Sequence, residues 1–118
     1  MPEAPALPTA TAQLLRRLPD SIGVICDVSH IVASGSTPPE FVELAGDRIT
    51  HVHIRDAEPG YIHHSVGRGQ VDFPATVAAL GAIGYDGRFA LELETRDVTN
   101  DERPQAALAA GRYVSSLL

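Results

Sequence analysis

The 118-residue sequence contains no tryptophan, one cysteine and only 5% aromatic residues. Cys26 has no partner within the chain, so an internal disulfide is excluded and nothing indicates an oxidising compartment. No apolar run approaches the roughly 20 residues that span a bilayer, and the N-terminus lacks the basic and apolar segments of a signal peptide. These absences predict a soluble, cytoplasmic protein with no membrane partner.

Basic residues are also scarce, because 9 Lys and Arg stand against 15 Asp and Glu, which gives a formal net charge of −6. Without a block of Lys or Arg, the chain is a poor candidate for binding nucleic acid or an anionic membrane. With 44% hydrophobic and 20% charged residues, it has the composition of a globular protein. We expect a single domain over residues 1–118, with the Ala/Pro/Thr-rich residues 1–12 as an entry segment.

Helical and strand patterns alternate along the rest of the chain. Short apolar runs predict strands at residues 22–26, 49–54 and 89–93, and apolar stripes predict helices at residues 12–18, 38–45, 72–83 and 103–117. The connectors are too short for anything but crossovers, so the strands should be parallel, with the largest loop at residues 56–70. Parallel strands need neighbours at both edges, and a complete eightfold barrel needs roughly 250 residues. The sequence therefore predicts an α/β chain that is part of something larger.

Side chains able to bind a metal ion gather at the carboxyl ends of the predicted strands: Asp27 and His30 after the first, His51 and His53 in the second, Glu92 and Glu94 in the third. Ligands and catalytic groups of α/β proteins sit at this end of the strands. Two carboxylates and an imidazole suit Mn²⁺, Mg²⁺, Co²⁺ or Zn²⁺ without selecting one of them. Each residue alone would be read as a surface carboxylate or a hydrogen-bonded histidine, but their coincidence at three strands favours a metal site. His51, one rung deeper than His53, is better interpreted as a packed, hydrogen-bonded histidine.

The predicted loop contains the segment His63-His64-Ser65-Val66-Gly67-Arg68-Gly69-Gln70. Its imidazoles, glycines and arginine could approach an anionic or hydroxylated ligand, and the alternative is a flexible turn. The two glycines do not form a dinucleotide fingerprint, because they follow no strand directly and a third glycine is missing. Cys26 lies within the first strand, where a buried, inert thiol is expected. Covalent catalysis therefore has no support in the sequence.

Four motifs follow one another along nearly the whole chain, from about Leu14 to Leu118. They are Gly23-Val-Ile-Cys-Asp27-Val-Ser-His30, Asp47-Arg-Ile-Thr-His51-Val-His53-Ile-Arg-Asp56, Gly67-Arg-Gly69-Gln-Val-Asp72-Phe, and Gly84-Tyr-Asp-Gly87 followed by Glu92. In this order and spacing they resemble the xylose-isomerase-like TIM-barrel superfamily, whose members include sugar phosphate isomerases and epimerases, inosose dehydratases and abasic-site endonucleases. The resemblance implies a partial TIM barrel, corresponding to the last three β/α units of an eightfold barrel.

The resemblance also implies one divalent metal ion, with Asp27, His53 and Glu92 as ligands. His30 matches a histidine that binds substrate in the epimerases. In the isomerases and epimerases of this family, two glutamates on either side of the substrate move a proton through a metal-stabilised enediolate, so Glu92 would be both ligand and base. Glu3, in Pro-Glu-Ala-Pro, resembles the start of the motif that carries the other glutamate, although no strand precedes it.

The favoured interpretation is the C-terminal portion of a divalent-metal-dependent sugar or sugar-phosphate isomerase or epimerase. Arg55, His63, His64 and Arg68 are candidates for contacting substrate hydroxyl or phosphate groups. The alternative is a non-catalytic or split half-barrel, which pairs as a homodimer or with a missing N-terminal half to cover its open strand edges. An abasic-site endonuclease is disfavoured by the acidic charge and by Tyr61, which stands where those enzymes carry an aspartate.

Overall fold

The computed structural model describes residues 7–118, in which five α-helices and five β-strands are formed. In chain order they are α1 (Leu7–Arg17), β1 (Val24–Asp27), α2 (Val28–Ala33), α3 (Pro38–Ala45), β2 (Ile49–Ile54), β3 (Asp56–Glu58), β4 (Tyr61–His64), α4 (Phe73–Ala82), β5 (Phe89–Leu91) and α5 (Arg103–Ser116). Glu3 lies outside the described residues. No helix within them is long and apolar enough to cross a bilayer.

A three-stranded parallel sheet in the order β1-β2-β5 forms the centre of the molecule. In the register of the sheet, Asp27 lies opposite His53, and His53 lies opposite Ala90. The predicted α/β class and parallel strands are confirmed. Within residues 7–118 the three strands form an open sheet rather than a closed barrel, as a partial barrel requires.

The two faces of this sheet have opposite environments. Cys26, Val52 and Ile54 project from one face and are almost completely buried. On the other face, the side chain of Ile25 is 51% exposed and His53 is partly exposed. Side chains alternate between the faces of a strand, so the same three strands supply both the core and the open surface.

Helices α3 and α4 begin within one residue of the positions that the sequence predicts. Thr37 caps α3 by accepting a hydrogen bond from the backbone N–H of Glu40, and Asp72 caps α4 in the same way from Ala75. Each cap is followed by proline within the first turn, where the missing N–H has no helical acceptor to lose. From α4, Phe73 enters the core and is only 2% exposed.

Three local features differ from the sequence prediction. The predicted loop at residues 56–70 contains the antiparallel pair β3 and β4, whose turn includes Gly60 at a φ of 81°. Helix α2 follows β1 directly, and α1 begins at Leu7, so part of the predicted entry segment is helical. The new strands have three and four residues, too few for an alternating pattern to be recognised among turn-forming residues.

A buried carboxylate organises the segment after the hairpin. Asp56 is fully buried and accepts hydrogen bonds from the backbone N–H groups of Ala57, Gly67 and Val71, at 2.8, 2.8 and 3.0 Å. A Cβ at Gly69 would lie 2.4 Å from Asp56 Oδ1, so only glycine fits there. The loop that carries Arg68 is therefore held by its backbone rather than left free.

A single arginine joins α1 to the start of β2. The guanidinium of Arg48 donates to the carbonyls of Leu15, Leu18, Pro19 and Ile22, at 2.6, 3.3, 2.5 and 3.0 Å. These carbonyls lie at and beyond the C-terminal end of α1, where helical acceptors lack partners. Arg48 thus fixes the approach of the chain to β1.

Candidate metal centre

Three side chains from three strands or strand ends meet on the open face of the sheet. Asp27 ends β1, His53 lies near the end of β2, and Glu92 follows β5 directly. One ligand atom from each lies within 4.8 Å of the other two, and all three side chains are partly exposed. The register explains this meeting, because it aligns Asp27 with His53 and places Glu92 two residues beyond Ala90, which faces His53.

The distances between these atoms suit a shared cation. His53 Nδ1 lies 2.7 Å from Glu92 Oε1 and 3.7 Å from Asp27 Oδ2. Two atoms that each bind one ion at ~2.1 Å are separated by about 3.0–4.2 Å, depending on the angle between them. The shorter contact is below this range, so Glu92 would have to move slightly away from His53 for both to bind one ion. Two carboxylates and an imidazole also match the donor preferences of divalent cations.

The carboxylate of Asp27 is oriented by the short helix that follows it. Its Oδ1 accepts a hydrogen bond from the Ser29 hydroxyl at 2.8 Å and from the His30 backbone N–H at 3.2 Å. Its other oxygen, Oδ2, lies near His53. Asp27 therefore has one oxygen hydrogen-bonded to residues of α2 and the other directed toward His53. Ser29 is not among the residues predicted for the site; it is fully buried, and its position between Asp27 and His30 is the one sequence feature that points to it.

Two further histidines flank this cluster. His30 is 61% exposed, and its Nε2 lies 3.8 Å from Asp27 Oδ2. The ring of His51 is partly buried and packs edge-on against His53, with ring centroids 4.9 Å apart. His30 thus stands at the exposed side of the cluster, and His51 lies one residue pair deeper, where its ring packs against His53.

Arg55 follows β2 and lies close to the cluster, but it is almost entirely buried. Its side chain is 4% exposed. Nη1 donates to the Glu94 carbonyl at 3.2 Å and lies 3.8 Å from Glu92 Oε2, and Nη2 donates to the Ser29 hydroxyl at 3.5 Å. The guanidinium therefore contacts protein groups on both sides of the cluster.

The remaining loop candidates occupy separate positions. His63 Nδ1 lies 3.2 Å from the Glu94 carbonyl, which Arg55 also contacts. His64 Nε2 lies 3.8 Å from Glu58 Oε1. Arg68 is 61% exposed and donates to the Asp97 carbonyl at 3.2 Å. Of the three, the structure thus connects His63 to the segment that follows β5 and Arg68 to Asp97.

Cys26, next to Asp27, and Asp97, which contacts the loop of Ser65 and Arg68, have shifted pKa values. Burial raises the pKa of the Cys26 thiol to about 12, and the charge of Asp27 adds to this, so the thiol stays protonated at neutral pH. Burial also acts to raise the pKa of Asp97, but hydrogen bonds from the Ser65 side chain and backbone, with a smaller effect of the Arg68 charge, lower it below its ordinary value. The buried Cys26 is therefore no nucleophile.

Comparison with known proteins finds a TIM-barrel family and enzymes that act on sugars or related compounds. Residues 8–115 match the family model described as xylose isomerase-like TIM barrel. An inosose dehydratase of Lacticaseibacillus casei is 28% identical over 118 aligned residues, which cover 85% of this chain and 39% of the dehydratase. An L-ribulose 3-epimerase of Methylomonas sp. (strain DH-1) is 32% identical over 74 aligned residues, which cover 63% of this chain and 24% of the epimerase.

A solved structure supports the fold and also shows how much of it is present. The crystal structure of a D-tagatose 3-epimerase-like protein matches 99% of this chain with a TM-score of 0.69 at 24% identity, and the match covers 45% of that protein. The chain thus spans less than half the length of these relatives. With the family model matched over nearly all of its residues, the chain belongs to the xylose isomerase-like TIM-barrel family.

Proposed function

We propose that the chain carries the metal-binding portion of a divalent-metal-dependent sugar or sugar-phosphate isomerase or epimerase. The observation that carries the proposal is the convergence of Asp27, His53 and Glu92 at the carboxyl ends of three parallel strands. This is the end at which barrel enzymes of this architecture perform their chemistry. Family membership and the epimerase among the relatives support the same interpretation.

The proposed reaction moves a proton next to a sugar carbonyl. Asp27, His53 and Glu92 would hold Mn²⁺, Mg²⁺, Co²⁺ or Zn²⁺, which supplies positive charge to stabilise the oxyanion that develops at the carbonyl. Glu92 presents Oε1 near His53 and Oε2 near Arg55, and its carboxylate would accept the proton from carbon. A second acid or base must return a proton to the enediolate. We assign this role to Glu3 or to a carboxylate of a partner chain.

The exposed side chains near the cluster are the ones that we propose as substrate contacts. His30 stands at the mouth of the cluster and would orient a sugar hydroxyl beside Asp27. His63, His64 and Arg68 are proposed as further contacts for hydroxyl or phosphate groups. Of these, Arg68 has the exposed guanidinium that suits a phosphate.

Dehydration of a polyhydroxy ketone is the second candidate function, and the similarity to inosose dehydratases favours it. Both reactions begin with removal of a proton from the carbon beside a carbonyl. In a dehydration the hydroxyl on the next carbon then leaves as water after it is protonated. The cluster described above serves the shared first step in either case.

We further propose that a partner covers the open parts of the sheet. The chain spans 39% of a dehydratase relative, and apolar side chains are exposed near both edges of the sheet. Ile22 and Ile25 are exposed before and within β1, Leu93 follows β5, and Leu14 in α1 and Leu108 in α5 are exposed as well. A second copy of the chain or the missing N-terminal half of the barrel would bury them.

Native mass spectrometry of the metal-free chain titrated with Mn²⁺ and Zn²⁺ tests the metal centre and the partner together. We expect a dimer that takes up one metal ion per chain, with uptake lost in His53→Ala and kept in His51→Ala. A monomeric chain that takes up no metal specifically would contradict both the metal centre and the homodimer.

Solvent exchange tests the proton transfer itself. Ketoses and ketose phosphates incubated with the metal-loaded protein in D₂O should gain deuterium beside the carbonyl, as followed by NMR. Glu92→Gln should abolish the exchange, whereas Glu94→Gln, an exposed glutamate two residues away, should keep it. Exchange that survives in Glu92→Gln would remove Glu92 from the role of base.

A further inference from the structure

Arg55 is a buried guanidinium at the junction of two elements that carry metal ligands. Its side chain is 4% exposed, and burial of a charge is unfavourable unless hydrogen bonds and opposite charges compensate it. The compensation comes from both sides of the cluster, because Nη1 donates to the Glu94 carbonyl and Nη2 donates to the Ser29 hydroxyl. Arg55 thus bridges the start of α2 and the segment after β5.

Arg55 lies next to Glu92 and is linked to Asp27 through Ser29, in each case on the side of the carboxylate oxygen that does not face His53. Nη2 lies 3.5 Å from Ser29 Oγ, and that hydroxyl donates to Asp27 Oδ1 at 2.8 Å. Nη1 lies 3.8 Å from Glu92 Oε2. The other oxygens, Asp27 Oδ2 and Glu92 Oε1, are those that face His53. Each carboxylate therefore has one oxygen toward the arginine network and one toward the cluster.

We infer that Arg55 is a positioning residue, whose forked guanidinium fixes Asp27 through Ser29 and fixes Glu92 directly. The inference rests on the proposed function, since it concerns the same metal centre. It assigns Arg55 a role different from substrate contact, because a side chain 4% exposed acts through the groups that surround it. A guanidinium can do this where an ammonium cannot, since its donors point in fixed and divergent directions.

A simple charge effect predicts a different result, because substitutions that keep the positive charge should then leave cation binding unchanged, and this makes the inference testable. A positive charge beside a cation site weakens cation binding, so removal of the charge alone would strengthen it. Arg55→Lys keeps the charge and removes the fork, and Ser29→Ala removes the link to Asp27 without any change in charge. Both substitutions should weaken metal binding if position is what Arg55 supplies.

The experiment measures the dissociation constant of Mn²⁺ by isothermal titration calorimetry, together with thermal unfolding of the metal-free chain. Arg48→Lys is the matched control, because Arg48 precedes β2 as Arg55 follows it and also donates to backbone carbonyls. We expect Arg55→Lys to weaken Mn²⁺ binding about tenfold or more, as is typical when a group that orients a metal ligand is lost. Ser29→Ala should weaken it less, and Arg48→Lys should lower the unfolding temperature with unchanged affinity.

Unchanged or tighter Mn²⁺ binding in Ser29→Ala together with Arg55→Lys would overturn the inference while the metal centre stands. If Arg55→Lys fails to fold, Ser29→Ala decides by itself, since the loss of one hydroxyl leaves the fold intact. A wild-type chain that binds no Mn²⁺ would overturn the proposed function, and the role of Arg55 with it.

Discussion

The two faces of the parallel sheet are built from the same strands and serve different purposes. On the covered face, Cys26, Val52 and Ile54 are at most 1% exposed, and they pack with the helices. On the open face, alternate positions carry Ile25, His51 and His53, of which Ile25 is half exposed. The covered face forms the core, and the open face carries the proposed metal ligands. Substitutions on the covered face should therefore change the free energy of unfolding and leave metal binding unchanged, and substitutions on the open face should do the reverse.

The largest effect is expected on the covered face. Ile54→Ala removes a side chain that is 1% exposed and should lower the free energy of unfolding by about 2–5 kcal/mol. Ile25→Ala, on the open face, should cost well under half as much in the isolated chain. Urea unfolding of the metal-free protein measures both values. Equal losses would show that a partner covers the open face under the conditions used.

The next effect distinguishes two histidines on the open face. Mn²⁺ at 100 times its dissociation constant should raise the free energy of unfolding by about 2.7 kcal/mol, since it binds the folded chain alone. His53→Ala should lose this gain, because His53 Nδ1 is the atom between the two carboxylates. His51→Ala should retain most of it. Thermal unfolding with and without Mn²⁺ provides the measurement, and equal loss in both variants would argue against the assigned ligands.

A third substitution concerns Asp56, the residue after Arg55. Asp56→Asn keeps the size of the side chain but weakens the hydrogen bonds that this buried carboxylate accepts from three backbone N–H groups, so stability should fall by about 1–3 kcal/mol. Mn²⁺ affinity should be nearly unchanged, in contrast to Arg55→Lys. Urea unfolding and calorimetry test the pair. A large loss of affinity in Asp56→Asn would show that the loop and the open face are not independent.

The smallest effect is a dependence of stability on pH. The pKa of Asp97 is lowered in the folded chain, so its contribution to stability is complete above its unfolded pKa and is lost as the pH falls through the folded value. Asp97→Asn should therefore reduce the slope of stability against pH below roughly pH 4. Thermal unfolding across this range checks the slope. An identical slope in the variant would assign acid sensitivity to other carboxylates.

Much of the fold could be predicted because local signals agreed with the final structure. The apolar stripes at residues 38–45 and 72–83 predict α3 and α4 to within one residue, and the apolar run at residues 49–54 predicts β2. Asp27, His53 and Glu92 were chosen from their positions at strand ends and from the family resemblance, and the structure brings them together. Their role as metal ligands stays a prediction.

The rest depends on contacts between residues distant in sequence. The hairpin of β3 and β4 is held by pairing of very short strands and by Asp56, which binds N–H groups up to 15 residues away. The burial of Arg55 follows from its contacts with Ser29 and Glu94, 26 and 39 residues away. No local pattern reports such contacts, so an arginine in this sequence is read as an exposed group.

The distribution of one ligand per strand means that no local segment of the chain holds the proposed site. An ion bound there would discriminate among pairings of the strands as well as between folded and unfolded chains. A one-residue slip of β2 against β1 would turn His53 toward the helices and bring an aliphatic neighbour such as Val52 to face Asp27. A bound cation would thus stabilise the native register of β1 and β2 over a register in which one of the ligands points away from the ion.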